Sequence, residues 1–251
     1  MDVSLDKNYV PSLTKEEGRE YFKNVDEFVC VSKDCAKKFN QKFGFDDKTK
    51  VCYNIVPGKD IQNKALENTE IKLEKDKFNI VTMGRLTNQK GFDILIDAMK
   101  PIVEKNSSVK LYIAGEGEDY ENLLKQINDL ELDKNVILLG HIPNPYPILK
   151  QADLYVCSSR HESFSLAVAE SIILEVPVVS TRCTGPVELL DNGKYGVLTG
   201  NEKDDLKEAI ESLIEDRDKL SYYKKMTNRR REFFNVETSV KEWEKILDED
   251  K

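Results

Sequence analysis

The chain is predicted to be an α/β protein built on a doubly wound parallel sheet, with a partial second α/β unit ahead of it. Three observations carry this. From residue 78 onward, six short apolar runs at 78–83, 109–114, 136–139, 153–157, 176–180 and 196–198 alternate with helix-forming stretches, as repeated βα units do. The runs are nearly continuous in apolar residues, the mark of parallel strands covered on both faces. Ahead of residue 78 only two such runs occur.

Taken in order, a short helix is expected around 15–22 and a buried strand at 27–31 (EFVCV). A helix follows over 32–43, with Ser32 as N-cap and Asp34 in its first turn. A second strand at 51–55 ends in Asn54, Pro57 and Gly58. The highly charged stretch 59–77 reads as a short helix and a linker. In the regular part, helices are expected at 92–105, 119–130, 146–150, 164–174, 186–190 and 203–215. The tail 217–247 contains neither Pro nor Gly and is expected to be helical throughout. The units are therefore 1–77, 78–232 and a C-terminal helix within 233–251.

A net charge of −8 speaks against a nucleic-acid binder, whose footprint is basic. No apolar run approaches the ~20 residues of a membrane span, and the start has no signal-peptide pattern. The basic stretch of the tail (Lys224, Lys225, Arg229, Arg230, Arg231) is expected to be a solvated helix face, with peripheral contact to lipid headgroups as the alternative. Five scattered cysteines form no CxxC pair, which excludes zinc and thioredoxin-like readings. Buried reduced thiols in a cytoplasmic protein are expected. Asp46–Asp47 and the acidic end 248–250 read as solvated charge, and no DxD-like pair sits at a strand end, so no metal is expected.

Ligands of such sheets bind outside the carboxyl ends of the strands. There the first regular strand ends in Gly84, Arg85 and Leu86, and Lys90 and Gly91 open its helix. The fourth strand ends just before Arg160, at RHESFSLAVAESIILEVP. In it Glu162 and Glu170 stand eight residues apart, which on one helix means ~80° around and ~12 Å along the axis. Ser163, Phe164, Ser165 and Leu166 would form the first turn, whose free N–H groups and dipole attract an anion. An anion flanked by two hydroxyl-binding carboxylates matches the layout of a nucleotide-sugar. GEGED at 115–119 lacks the third glycine of a dinucleotide loop, so no NAD site is expected.

GRLTNQKGFDILIDA, IAGEGEDYENL, VILLGHIP and ESFSLAVAE, in this order, closely resemble the donor-binding half of retaining glycosyltransferases of family 4, with the GT-B fold of Rossmann-like halves. The resemblance implies that Arg85 and Lys90, following Gly84, neutralise a donor diphosphate. It implies that Glu162 faces the sugar, and these three residues are the expected catalytic set. It further implies that Glu170 takes the ribose hydroxyls, that the backbone of Phe164, Ser165 and Leu166 holds the phosphates, and that His141 and Ile142 contact the base. Ser163 and Ser165 stand where the family often has glycine. Residues 27–43 and 51–57 resemble the last strand–helix–strand of the acceptor half, so 1–77 is expected to be a remnant of that half. The implied activity is transfer of a hexose-type sugar from a nucleotide-diphosphate sugar, UDP-linked, with retention and without a cofactor. The implied acceptor is a glycan or glycolipid in polysaccharide or glycolipid assembly. The alternatives are a non-catalytic nucleotide-sugar-binding subunit served by a separate acceptor-half chain, and a sugar-nucleotide epimerase relative, which the E-x7-E spacing fits less well.

Overall fold

The computed structural model describes residues 13–248. The parts of the expected 1–77 and 233–251 units before and after these, with the end of the acidic stretch, lie outside the described residues. In the first unit, α1 (Lys15–Tyr21) opens on a capping box, in which Thr14 and Glu17 satisfy each other's backbone N–H. β1 (Phe28–Cys30) leads into α2 (Lys33–Phe43), where Ser32 accepts from the Cys35 N–H at 3.2 Å. The strand expected at 51–55 lies earlier, as β2 (Thr49–Val51), because the three residues of β1 set the pairing from Phe28↔Thr49 to Cys30↔Val51. Beyond Cys52 the chain leaves this sheet for α3 (Gly58–Lys64).

The main sheet comprises β3 (Phe78–Met83), β4 (Val109–Ala114), β5 (Val136–Gly140), β6 (Leu154–Cys157), β7 (Val178–Thr181) and β8 (Val197–Thr199). All are parallel, in the order β5-β4-β3-β6-β7-β8. The chain starts in the middle, winds outward to β5, then crosses to β6 and winds the other way. Alternate residues of each strand feed two cores. Ile80, Leu111 and Val156 meet α4 (Phe92–Lys105), α5 (Tyr120–Asp129) and α9 (Lys203–Glu215). Val81, Tyr112 and Tyr155 meet α3, α6 (Tyr146–Leu149), α7 (Leu166–Ile173) and α8 (Thr184–Leu189). All six residues of β3 are buried, and each Ile or Val among them contributes about 1.5–3 kcal/mol.

Two expected helices are corrected. α7 starts at Leu166, not Phe164, and Ser165 before it is left-handed with φ 72. The cause is tertiary: the Phe164 ring is buried in the second core, and its backbone is pressed against Gly185, where a Cβ would stand 2.3 Å from the Phe164 oxygen. Glu162 is consequently on a loop, and the helical spacing expected between it and Glu170 does not apply. The tail is also broken, into α10 (Arg217–Arg230), a 3₁₀ turn at Arg231–Phe233 and α11 (Val236–Asp248). Arg230 lies 3.9 Å above the Phe233 ring and donates to the carbonyls of Leu189 and Glu188, while Phe233 and Phe234 pack on the second core. These contacts turn the chain inward.

Candidate functional site

The strand order reverses between β3 and β6, and the crevice at such a switch point is where doubly wound sheets hold ligands. A cleft of about 1750 Å³ opens there, closed on its far side by the β1–β2 unit and by Trp243 of α11. Its floor is made by the loops 84–91 and 158–165.

These loops are braced against each other. Arg160 N–H donates to the Gln89 carbonyl, Gln89 Nε2 to the His161 carbonyl, and the Ser158 hydroxyl to the Lys90 carbonyl, at 2.8, 2.9 and 2.9 Å. Gly91 has φ 64, and a Cβ there would meet the Ser158 oxygen at 2.2 Å. The Arg160 guanidinium gives two parallel hydrogen bonds to Asp93 at 2.8 and 2.7 Å, and a third to the Asn88 carbonyl at 2.6 Å. Burial pushes the Asp93 carboxyl up, but the Arg160 bonds and charge outweigh it and hold the group below its usual range. The GEGED turn supports the same frame: Leu86 N–H donates to Glu116 O and Asp119 N–H to Leu86 O.

Gly84, Arg85, Lys90, His141, Ile142, Glu162, Phe164, Ser165, Leu166 and Glu170 all line the cleft, whereas Leu86 is buried beneath it. Lys90 Nζ is paired with Glu162 Oε1 at 2.5 Å, and the Ser159 hydroxyl donates to the same oxygen at 3.0 Å. Arg85, just past Gly84, is exposed and has no hydrogen bond or ion pair among the described residues. At the start of α7 the Ser165 hydroxyl makes no capping bond, so the first N–H groups, from Leu166 on, stay open toward the cleft. The Phe164 side chain is 4% exposed, which leaves chiefly its backbone to face a ligand. Glu170 reaches the cleft one turn further along α7, where the Tyr146 hydroxyl donates to its Oε1 at 3.0 Å. Burial raises the Glu170 carboxyl above its ordinary range, with the Tyr146 bond pulling the other way. His141 is exposed, and Ile142 is packed at the edge of the second core.

Sequence reasoning missed four contributors: the Arg160–Asp93 clamp, Ser159, Tyr146 and Trp243. Opposite charges at a strand end and in the first turn of a nearby helix were a signal for the clamp. Nothing local marked the other three. The five cysteines are thiols, four of them buried, and among the described residues no helix is long and apolar enough to cross a membrane.

Winding, switch-point cleft and C-terminal helices together are those of a GT-B glycosyltransferase. Anabaena Alr3699/HepE, solved in complex with UDP, superposes with a TM-score of 0.80 at 24% identity, over 95% of this chain and 69% of that one. The chain belongs to the family of group 1 glycosyl transferases, whose pattern matches residues 63–233. The uncharacterized glycosyltransferase MJ1059 of Methanocaldococcus jannaschii is 33% identical over 263 residues, covering 91% of this chain and 64% of the relative. The capsular polysaccharide biosynthesis glycosyltransferase CapM of Staphylococcus aureus is 35% identical over 161 residues, covering 62% and 42%. This chain therefore spans less than two thirds of the length of these relatives.

Proposed function

We propose that the cleft binds a nucleotide-diphosphate sugar, and that this chain is the donor-binding part of a glycosyltransferase. In this reading it transfers a hexose-type sugar from a UDP-sugar, with retention, to a glycan or glycolipid acceptor in the cytoplasm, with peripheral contact to the membrane. The observation that carries it is one cleft holding an uncommitted guanidinium, Arg85, and the open start of α7, with a carboxylate to either side. Retention rests on the likeness of the motifs to the retaining family.

Arg85, Lys90 and the start of α7 offset the charge that grows on the diphosphate as the glycosidic bond breaks. Each charge-assisted hydrogen bond contributes about 1.5–3 kcal/mol. Glu162 orients the sugar, Glu170 takes the ribose hydroxyls, and His141 and Ile142 stand beside the base. Protein groups carry the countercharge, so the reading assigns no role to a metal. It also assigns 1–77 to the acceptor side, 78–232 to the donor side, and 233–251 to a C-terminal segment whose α11 brings Trp243 to the cleft.

A second reading is a nucleotide-sugar-binding subunit that relies on a partner chain for the acceptor side. Among the described residues the first unit has a two-stranded sheet, and it turns Phe22, Phe28 and Val29 toward the cleft. Calorimetry over UDP-, GDP- and ADP-sugars, with and without EDTA, tests the main reading. A UDP-sugar is expected to bind with Kd between about 1 μM and 1 mM, the usual range of KM, whether or not EDTA is present. Absence of binding to every nucleotide-sugar overturns it. Donor hydrolysis or transfer by the purified chain alone rejects the subunit reading.

A further inference from the structure

Glu170 and Tyr146 come from different helices, and only one of them lines the cleft. Tyr146 opens α6, whose next three residues, Pro147, Ile148 and Leu149, are all buried, so its backbone is fixed from below. Its N–H donates to Asn144 Oδ1 at 3.3 Å, and Asn144 Nδ2 donates in turn to the Lys64 carbonyl and to Glu67 Oε2, at 3.0 and 2.8 Å. From this anchored position the hydroxyl donates to Glu170 Oε1. Burial and the neighbouring carboxylate push the Tyr146 hydroxyl up to about 12, so it keeps its proton and is the donor in that bond. Glu170 Oε2 has no hydrogen-bond partner among the described residues.

We propose that Tyr146 is a positioning residue: by occupying Oε1 of Glu170 from behind, it aims the remaining acceptor sites at the ribose 2′ and 3′ hydroxyls and so sets the preference for ribose over deoxyribose. This rests on the nucleotide reading of the cleft. The chemistry is a matter of parity. A carboxylate only accepts, a ribose diol donates, and a phenol on one oxygen leaves the other free in a single orientation. Without the phenol the carboxyl loses its fixed donor and swings among rotamers, and binding has to order it. Tyr146 touches no ligand in this scheme; it acts through Glu170 alone.

The test is calorimetry of UDP and 2′-deoxy-UDP with the full chain, as wild type, Tyr146→Phe, Glu170→Ala and the double variant. The wild type is expected to prefer UDP by roughly tenfold or more, the worth of a hydrogen bond to a charged group. Tyr146→Phe keeps the ring and the fold, and is expected to cut that preference about threefold to tenfold, with the larger loss falling on UDP, because the deoxy form keeps only the 3′ hydroxyl for Glu170 to accept from. The double variant is expected to match Glu170→Ala, since a residue acting through another has nothing left to act on. A Tyr146→Phe protein with the wild-type preference overturns the proposal, as does equal weakening of both ligands, which marks a packing role. Additive losses in the double variant overturn it too. A wild type that binds neither nucleotide sinks the reading of the cleft itself, and the role of Tyr146 with it.

Discussion

Arg85 and Arg160 follow neighbouring parallel strands and line the same cleft, yet their surroundings are opposite. Arg160 is spent: Asp93 and the Asn88 carbonyl take its guanidinium, and its backbone is tied to Gln89. Arg85 is uncommitted. A cation already satisfied by a carboxylate gains little from a passing anion, whereas an exposed one beside a helix start offers its full charge. The residue that holds the floor together and the residue available to a ligand are thus distinguished by their partners, not by their type. Lys90 lies between these extremes. It is paired with Glu162, so any anion entering the cleft would have to share it or displace that acid.

The contrast is broken most directly at Arg85. Arg85→Ala is expected to weaken UDP binding by about 1.5–3 kcal/mol and to leave stability within about 0.5 kcal/mol, by calorimetry and urea unfolding of one preparation. A stability loss with unchanged affinity would reverse the two roles. Next in size, Arg160→Ala is expected to cost about 1–2 kcal/mol of stability, because it strands the half-buried Asp93 carboxylate. A midpoint equal to wild type would show the clamp to be idle. Glu162→Ala separates the ligands: a UDP-sugar is expected to lose about tenfold, roughly 1.4 kcal/mol, while free UDP binds as well or better because Lys90 is released. Equal losses for both would contradict a sugar-facing Glu162.

Smaller still is the effect of acid on the clamp. The folded Asp93 carboxyl is held low, so its contribution is present above the ordinary aspartate value of about 3.9 and is lost as pH falls through the folded value beneath it. The stability gap between wild type and Asp93→Asn is therefore expected to narrow below about pH 4 in urea titrations. A gap that stays constant to about pH 2.5 would argue against the linkage. Smallest is Ser165→Gly, at the left-handed residue before α7. Relief of about 1 kcal/mol of backbone strain is nearly offset by the freer unfolded chain. Thermal unfolding is expected to shift by less than about 0.5 kcal/mol.

What local patterns reveal, and what they hide, follows from range. The strands of the main sheet were legible because both faces of a parallel strand are covered, and this leaves apolar runs such as FNIVTM on the chain. The place of the cleft was legible as well. Once the strands are parallel, the residues just past their ends share one rim, and Arg85, Lys90 and Glu162 meet there. The cations and carboxylates that line this rim could be read from the same stretches. The partners could not. Lys90 and Glu162 are 72 residues apart, Arg160 and Asp93 are 67 apart, and Tyr146 and Glu170 are 24 apart, and no periodicity encodes which charge meets which. The start of α7 shows the same limit. ESFSLAVAE favours a helix from Phe164 by composition, yet burying that ring against Gly185 is worth more than one early turn, so the helix waits until Leu166. Composition and period therefore determined the sheet, its winding and the rim. Only close packing of distant segments decided which rim charges are neutralised, which stay open, and where the cleft-facing helix α7 begins.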